Sequence, residues 1–425
     1  MAKRQKIDHT ADFLSRLPDD IFSSFIFPGL SAKEATRLCI TSKEMEYLRT
    51  WIPDLEFQEP LGFPQNKYRR NLVKTIDKSL KDRKNNVNSF KIRFTPLGYK
   101  SQYAEWINML ISLSVKEVDI DFNRRSAKPA NLPTSLFRLN EVKSLKLQSC
   151  SFDVPDEFSG LKYLDMLHLG HVTLYGSQLV SFMSKCKNLS VISLERCNCV
   201  GNIDFSNTSV RSLQYADQKL RLSVKGATEL INVVIYRGTN DFPDQDEAYG
   251  FRREILEHLR HVESLSLMGW AFKCLAQGDA VKILEIDYIS LMKLEVEICL
   301  SSREELLALS CLFERAKHVQ NLLLLMSQES CWDGNLDCWT QKLGEKFGQN
   351  HFNELRTIEI NKLKGTAFDF GFVEFVLENA GQLQRMSITL IDEGTFMSPR
   401  NRRLSRLIRE HPNLIHVTVN NNIIS

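Results

Sequence analysis

The feature that most restricts how this chain can fold is a short apolar pattern that recurs fourteen times between residues 87 and 419. An apolar residue is followed by two others, a second apolar residue, one other and a third apolar residue. The second half alternates with a period of two, which predicts a half-buried β-strand. Because one such unit cannot bury its apolar side alone, the units are predicted to stack into one array. They begin at Val87, Val115, Val142, Leu164, Leu189, Val210, Leu230, Val262, Val281, Leu291, Val319, Leu355, Leu383 and Leu414.

The spacing of these units indicates leucine-rich repeats. Most of their central residues follow one another at 19 to 36 residues, at or somewhat above the roughly 20–29 residues of such repeats. One step of 10 residues is too short, so residues 281–298 hold either two paired strands or one false unit. Two units continue to Cys150 and Cys197, the position where a small buried polar group satisfies the backbone at the bend.

Helical patterns lie between several of the predicted strands. Their apolar residues recur at the spacing of one helix face. Alternating strands and helices predict an α/β fold, an irregular solenoid with a curved parallel sheet and helices on its outer side. The predicted helices are Gln102–Leu113, Ser177–Lys185, Arg303–Ala316, Phe372–Asn379 and Arg400–Glu410.

The first sixty residues lack the repeat and instead carry three short helix signatures. Pro18 suits the first turn of a helix. Two capping boxes follow, Ser31-x-x-Glu34 and Thr41-x-x-Glu44, and Pro53 ends the last helix. About forty residues make a marginal core. We therefore expect this segment to need a partner or to pack on the following repeats.

Residues 13–57 resemble the plant F-box, the remainder resembles the leucine-rich array of plant F-box proteins, and residues 352–390 resemble its FBD region. The resemblance implies a three-helix F-box at 13–57, a basic helical connector at 58–86, repeats at 87–351 and FBD-like repeats at 352–425 that cap the solenoid. Its features are Leu17-Pro18-Asp19-Asp20-Ile21, Ile26, Leu30, Lys33, Ser42-Lys43, Tyr47-Leu48, Pro53-x-Leu55-x-Phe57, Trp106 before Val115–Asp121, and Leu132–Phe137.

The resemblance implies a substrate-recognition subunit of an SCF-type (Skp–cullin–F-box) ubiquitin ligase. The F-box would dock a Skp-type linker, and through it a cullin, while the repeats would hold a target protein. Such a chain supplies proximity and no catalytic residue or cofactor of its own. The alternative for the docking residues is the internal core of a small helical domain. They are Leu17, Pro18, Ile21, Ile26, Leu30, Leu38 and Leu48.

One departure from the family pattern supports a second function. Glu44-Met45 stand where relatives usually carry Arg-Trp. Because a buried aromatic residue contributes strongly to a binding core, its absence here favours, as the alternative, a protein-binding scaffold that acts outside a ligase.

Composition and charge bear on whether the chain binds nucleic acid, crosses a membrane, is secreted or binds an anionic partner. The net charge is +3, too balanced to indicate a nucleic-acid binder. No secretory signal and no apolar run of 18 residues occur, so no membrane segment is expected. The ten scattered cysteines predict reduced thiols in the cytoplasm or nucleus. The basic stretch 67–100 is interpreted as the solvated side of a helix with Leu72, Val73, Ile76 and Leu80, or alternatively as a site for an anionic partner.

Metal-site and enzyme motifs are not found. Cys197-x-Cys199 has no second cysteine pair at zinc spacing. No GxSxG, Walker or GxGxxG motif occurs. The polar segments Gly238–Gly250 and Ser327–Gly334 are expected to be loops, either parts of a recognition surface or ordinary connections.

Overall fold

The recurring apolar pattern forms β-strands in a computed structural model of the chain. Thirteen of the fourteen units lie on strands, and the unit that begins at Val281 falls largely outside the described residues. Ile286, its last member, lies outside a strand, and the two alternatives for 281–298 stay open. The structure describes residues 17–18, 21–30, 32–39, 46–59, 66–83, 85–96, 98–122, 129–217, 221–237, 243–277, 286–327, 352–391 and 399–420.

The strands are numbered along the chain. They are β1 (Asp54–Gln58), β2 (Ser89–Arg93), β3 (Glu117–Asp121), β4 (Ala130–Asn131), β5 (Ser144–Gln148), β6 (Cys150–Ser151), β7 (Met166–Gly170), β8 (Thr173–Tyr175), β9 (Val191–Glu195), β10 (Asn198–Val200), β11 (Ile203–Asp204), β12 (Ser212–Ala216), β13 (Leu222–Ser223), β14 (Asn232–Arg237), β15 (Ser264–Gly269), β16 (Lys293–Ile298), β17 (Asn321–Met326), β18 (Thr357–Leu363), β19 (Arg385–Ile391) and β20 (Ile415–Asn420).

The α-helices lie between these strands or before them. Four 3-10 helices, Phe27–Gly29, Glu46–Trp51, Thr134–Arg138 and Leu256–His258, and a π-helical turn, Phe22–Ile26, accompany them within the described ranges. The α-helices are α1 (Ala32–Cys39), α2 (Asn66–Lys81), α3 (Lys100–Ser112), α4 (Gly176–Lys185), α5 (Gln245–Glu254), α6 (Trp270–Ala276), α7 (Arg303–Arg315), α8 (Ala367–Asn379) and α9 (Pro399–Glu410).

The chain divides into two compact units. Unit 1 comprises Met1–Leu189 with Cys197–Val200, and unit 2 comprises Ser190–Arg196 with Gly201–Ser425. In unit 1, strands β1, β2, β3, β5 and β7 pair in parallel in that order. A second, smaller parallel sheet of unit 1 has the order β10-β8-β6-β4.

Unit 2 contains a longer parallel sheet of the same kind. Its strand order is β9, β12, β14, β15, β16, β17, β18, β19 and β20, so each strand pairs with the next repeat along the chain. The short strands β11 and β13 pair separately. The α/β fold with a large parallel sheet is thus confirmed.

The core of each unit follows from strand register. In the two rows given below, equivalent apolar residues of successive units are direct partners across parallel strands, and the residues of both rows are buried. Their alternate neighbours form the opposite, open side of the sheet, because side chains on a strand point alternately to its two sides. One such row in unit 1 is Phe90, Val118, Leu145 and Leu167, and one in unit 2 is Ile192, Leu213, Val233, Leu265, Leu294, Leu322, Ile358 and Met386.

All five predicted helices between strands are present, as α3, α4, α7, α8 and α9. Ser302 caps α7 by accepting a hydrogen bond from the Glu305 amide at 3.3 Å. No helix among the described residues is both long and apolar enough to cross a membrane.

The expectation of a loop throughout Gly238–Gly250 is wrong, because α5 begins at Gln245. The side chain of Asp244 accepts a hydrogen bond from the Glu247 amide at 2.7 Å and so caps the helix. Residues 238–242, and the segment after Ser327 up to 351, lie outside the described residues.

Candidate functional site: the N-terminal protein-binding surface

A small apolar core organises the N-terminal segment. We call it the N-terminal cluster; all its members are nearly fully buried, and the rings of Phe22 and Phe27 lie 5.9 Å apart between their centroids. Ala35 and Cys39 belong to it because they are four residues apart on α1, which places them on one side of that helix. The members are Phe22, Phe27, Ala35, Cys39, Leu48 and Ile52.

Burial also decides the protonation of the one thiol in this cluster. It raises the pKa of Cys39 to about 11, although the positive charge of Arg49 acts in the opposite direction. The thiol is therefore neutral near pH 7 and acts as a small apolar side chain.

The docking residues predicted from sequence differ in how deeply they are buried in or against this cluster. Leu48 is only 1% exposed and lies inside it. The other six keep part of their surface open: Leu17, Ile26, Leu30 and Leu38 pack against the cluster while partly buried, Ile21 is partly buried, and Pro18 is exposed.

Sequence reasoning missed the most exposed large apolar side chain among the described residues, Phe25, at 74%. It lies in the π-helical turn between Phe22, which points into the cluster, and Ile26, which is partly buried. Spacing does not identify it: Phe22 and Phe25 are three residues apart, which on a regular helix would place both on one side, yet only Phe22 is buried. An exposed aromatic next to partly open apolar residues forms a surface suited to a protein partner.

The end of the F-box-like segment is also the first strand of the unit 1 sheet. Leu55 and Phe57 of β1 pair in register with Phe90 and Ile92 of β2. Ile52-x-x-Leu55-x-Phe57 matches the apolar pattern, so this unit was detectable from sequence but was not counted. The segment therefore packs on the repeats, one of the two solutions expected for so small a core.

Arg83 fixes the short helix that precedes β1. Its guanidinium donates hydrogen bonds to the carbonyl oxygens of Arg49, at 3.1 Å, and of Ile52, at the end of the 3-10 helix Glu46–Trp51. Burial lowers the pKa of Arg83 to about 10, and the nearby Asp54 carboxylate opposes that shift. The side chain stays charged near pH 7 and satisfies carbonyl groups that the helix leaves open.

The first part of the basic stretch, residues 67–81, lies in the predicted helix α2. Its apolar side carries Val73, Ile76 and Leu80, all buried, while Lys74 and Lys78 are exposed. Arg83 has the structural contacts described above. The exposed Lys74 and Lys78 match the interpretation of the stretch as the solvated side of a helix, whereas Arg83 has a structural role outside that side.

A buried ion pair joins α2 to the end of β1. Arg69 Nη2 lies 2.8 Å from Glu59 Oε1, and the other carboxylate oxygen accepts a hydrogen bond from the Thr95 amide at 2.8 Å. Burial by itself would raise the pKa of Glu59, but the hydrogen bonds from Thr95 and Arg69 outweigh it and hold the pKa below its usual value.

The open side of the unit 1 sheet carries alternating charges. Lys91 and Arg93 on β2 face Asp119 and Asp121 on β3 in register, and Lys146 follows on β5. Arg93 Nε lies 2.8 Å from Asp121 Oδ2. Burial raises the pKa of Asp119, while Lys146 and the two basic residues of β2 lower it and Asp121 raises it further.

Other candidate sites from the sequence have the following outcomes. Glu44, Met45, Asp19 and Asp20 lie outside the described residues. Within the described ranges, no group of three or more His, Cys, Asp or Glu side chains could hold a metal ion. Cys197 and Cys199 are buried, and the Cys197 thiol donates to the carbonyl oxygen of Leu169 at 3.2 Å.

Comparisons with known proteins agree with the motifs. The family described as "At1g61320/AtMIF1, LRR domain" matches residues 80–206. The F-box/FBD/LRR-repeat protein At1g13570 of Arabidopsis thaliana is 23% identical over 392 residues, which are 89% of this chain and 91% of that protein. The FBD-associated F-box protein At1g61320 of the same plant is 23% identical over 188 residues, 44% of this chain and 40% of that protein.

Among solved structures, an internalin from Listeria monocytogenes is 14% identical, with a TM-score of 0.31 over 68% of this chain and 80% of that one. The fold assignment depends on the strand register of this chain. The sequence comparisons confirm the resemblance that the motifs indicate: this chain is similar, over 89% of its length, to an F-box/FBD/LRR-repeat protein of Arabidopsis.

Proposed function

We propose that this chain is a non-catalytic substrate receptor of an SCF-type ubiquitin ligase. In this function the surface around the N-terminal cluster binds a Skp-type linker, the linker connects it to a cullin, and the repeats hold a target protein. Reaction rate is then raised by proximity, because the target is held near the ubiquitin-carrying enzyme. The proposed location is the cytoplasm, the nucleus or both.

The observation that carries the proposal is the apolar surface around the N-terminal cluster. Phe25 is 74% exposed, and Leu17, Ile26 and Leu30 beside the cluster are only partly buried. Covering such side chains removes apolar surface from water, which favours association. Leu48 contributes to this surface indirectly, since it is buried and supports the residues around it.

Capture of a purified Skp-type linker by the full chain tests the proposal. We expect Phe25→Asp to weaken binding at least about 30-fold, because truncating an aromatic residue at the centre of an interface costs about 2 kcal/mol or more. Tyr163→Asp is the matched control, since Tyr163 is a 54% exposed aromatic elsewhere in unit 1. The double variant Leu17→Asp, Ile21→Asp probes the same surface, with circular dichroism to check that it folds.

A second function is favoured by Glu44-Met45, which replace the usual Arg-Trp of relatives. Under that alternative the chain is a repeat scaffold outside any ligase. If the wild-type chain captures the linker no better than Phe25→Asp does, the ligase function is rejected and the scaffold is retained.

A further inference from the structure

Strand β17 of unit 2 is apolar on both of its sides. Leu322 and Leu324 are buried at 2% and 0% exposure, whereas Leu323 and Leu325 point to the open side of the sheet and are partly exposed. Continuous apolar runs of this kind are typical of parallel strands that are covered on both sides. The open side of β17 therefore has the composition of a surface that something else covers.

Strands β14 and β15, which β16 separates from β17, carry further apolar residues on this side of the sheet. Val234 and Tyr236 on β14, and Met268 on β15, point to the same side as Leu323 and Leu325, because they alternate with buried residues in register. Tyr236 is 41% exposed and Val234 and Met268 are partly exposed. We call these five residues the apolar open face of unit 2.

Two carboxylates of β16 lie within this apolar open face, and a third, the exposed Glu359 on β18, borders it as the other register partner of Leu323. Glu295 and Glu297 on β16 are the direct register partners of Leu323 and Leu325. Ser266 donates a hydrogen bond to Glu295 at 2.9 Å. Across the part of the chain that the structure describes, no ion pair joins either carboxylate to a cation; Lys293, two residues before Glu295, is exposed.

Covering this face with an apolar partner would desolvate both carboxylates at a considerable cost in free energy. A partner that places cations opposite them avoids that cost. Lys and Arg are suited to the surroundings as well, since their aliphatic stems pack on apolar side chains while the charged ends reach a carboxylate. A cation can also lie over the ring of a tyrosine such as Tyr236.

We propose that the apolar open face of unit 2, with Glu295 and Glu297, binds a Lys- or Arg-rich segment of the target protein. Alternate residues of an extended chain are roughly 6.6 Å apart, the same spacing as two successive open-side residues of β16. A segment running along β16 with basic residues at i and i+2 thus pairs both carboxylates. This proposal names the chemistry of the target and rests on the receptor function proposed above.

Fluorescence anisotropy with the full chain and a labelled twelve-residue peptide of alternating Lys and Ser tests this site. We expect saturable binding that the double variant Glu295→Gln, Glu297→Gln weakens at least tenfold. The matched control Glu229→Gln, Glu378→Gln removes two exposed carboxylates elsewhere in unit 2 and leaves affinity unchanged. Absence of saturable binding, or equal loss in both double variants, overturns the proposal.

A second peptide separates this site from general charge attraction. It carries 2,4-diaminobutyric acid in place of Lys, with the same charge and shorter stems. We expect it to bind at least fivefold more weakly, because the shorter stems cannot pack on Leu323, Leu325 and Met268. Equal affinity of the two peptides overturns the proposal.

The competing occupant is residues 328–351 of the same chain, which follow β17. If they cover the face, the double variant Leu323→Ser, Leu325→Ser lowers the melting temperature as strongly as a core variant does, and the proposal is rejected. We expect a change within about 2 °C, as for surface substitutions, together with weaker peptide binding. The peptide assay contains no linker, so its failure is distinguishable from failure of the ligase function.

Discussion

The open sides of the two sheets are built on the same strand register but differ in their chemistry. In unit 1, cationic β2 faces anionic β3, and the Arg93–Asp121 pair connects them. In unit 2, the corresponding rows mix polar and apolar residues, and Glu295 and Glu297 lie among them without an ion pair to any described cation. The buried positions are alike in both units because the repeat requires them to be apolar, whereas the open positions are unconstrained by the fold.

The two units differ in whether the charged side chains described here are paired within the chain. Unit 1 compensates its charges within the chain, at the surface of its sheet and in the buried Glu59–Arg69 pair. On the open side of unit 2, Glu295 and Glu297 have no ion pair with a described cation, and under the proposal above a basic segment of the target compensates them. A charged ligand adds little binding affinity at a surface whose charged side chains are already in ion pairs, and adds more where those side chains are unpaired.

The largest expected effect comes from breaking the buried pair of unit 1. Glu59→Ala should lower the free energy of unfolding by about 3–5 kcal/mol, because it leaves the buried charge of Arg69 without a partner. Urea denaturation followed by circular dichroism measures this effect. Glu56→Ala is the control, since Glu56 is exposed on the same strand. A loss below 1 kcal/mol for Glu59→Ala would show that unit 1 does not depend on internal charge compensation.

The next largest effect is a difference in stability loss between two variants of β17, and it tests which side of unit 2 is open. Leu324→Ala removes a side chain with 0% exposure and should cost about 2–5 kcal/mol. Leu325→Ala, on the next residue of β17, should cost under about 1 kcal/mol, because its side chain is partly in water already. The two variants have the same chemistry, so equal losses in urea denaturation would contradict the assignment of an open side.

The smallest expected effect is the pH dependence of the unfolding free energy that arises from Glu59 and Asp119 in unit 1. Because the pKa of Glu59 is below its usual value when folded, its contribution to stability is present above the ordinary pKa of about 4.3 and is lost as pH falls through the lower folded value. Asp119 has the opposite sign: its raised folded pKa gives stability below the ordinary pKa that is lost as pH rises through the folded value.

Unfolding free energies between pH 3 and 7 distinguish these two contributions. Glu59→Gln should remove part of the acid sensitivity, whereas Asp119→Asn should steepen the loss of stability in acid. The same slope in wild type and both variants would show that neither group is perturbed by its surroundings.

Much of the fold was accessible from the sequence. The apolar pattern located thirteen strands, and apolar spacing located all five predicted helices. The short strands β4, β6, β8, β10, β11 and β13 and helix α6 were missed. So were β1 and α5, although their signals were present: the residues of β1 match the pattern from Ile52, and the Asp244 cap of α5 lies in a segment interpreted as a loop. In both cases the interpretation of a longer segment hid the local signal: β1 lies in the F-box-like segment, and α5 lies in a segment interpreted as a loop.

The candidate binding surfaces were less accessible. Leu48 and Phe25 are both apolar residues of one short segment, yet one is 1% exposed and the other 74%. Spacing could not separate them, because short 3-10 and π turns do not keep the regular period of an α-helix. The three-helix form of this segment stays a prediction, since only α1 is a regular helix among its described residues.

The sequence by itself determined the repeating strand and helix order, because burial of one side of each strand imposes a periodic apolar code on the chain. Only the tertiary structure decided which charges are paired. Glu59 contacts Arg69 ten positions away and the Thr95 amide thirty-six positions away. Glu295, in contrast, forms no ion pair with a cation among the described residues. Such pairings depend on the distances between side chains after the strands have stacked, and no local pattern encodes those distances.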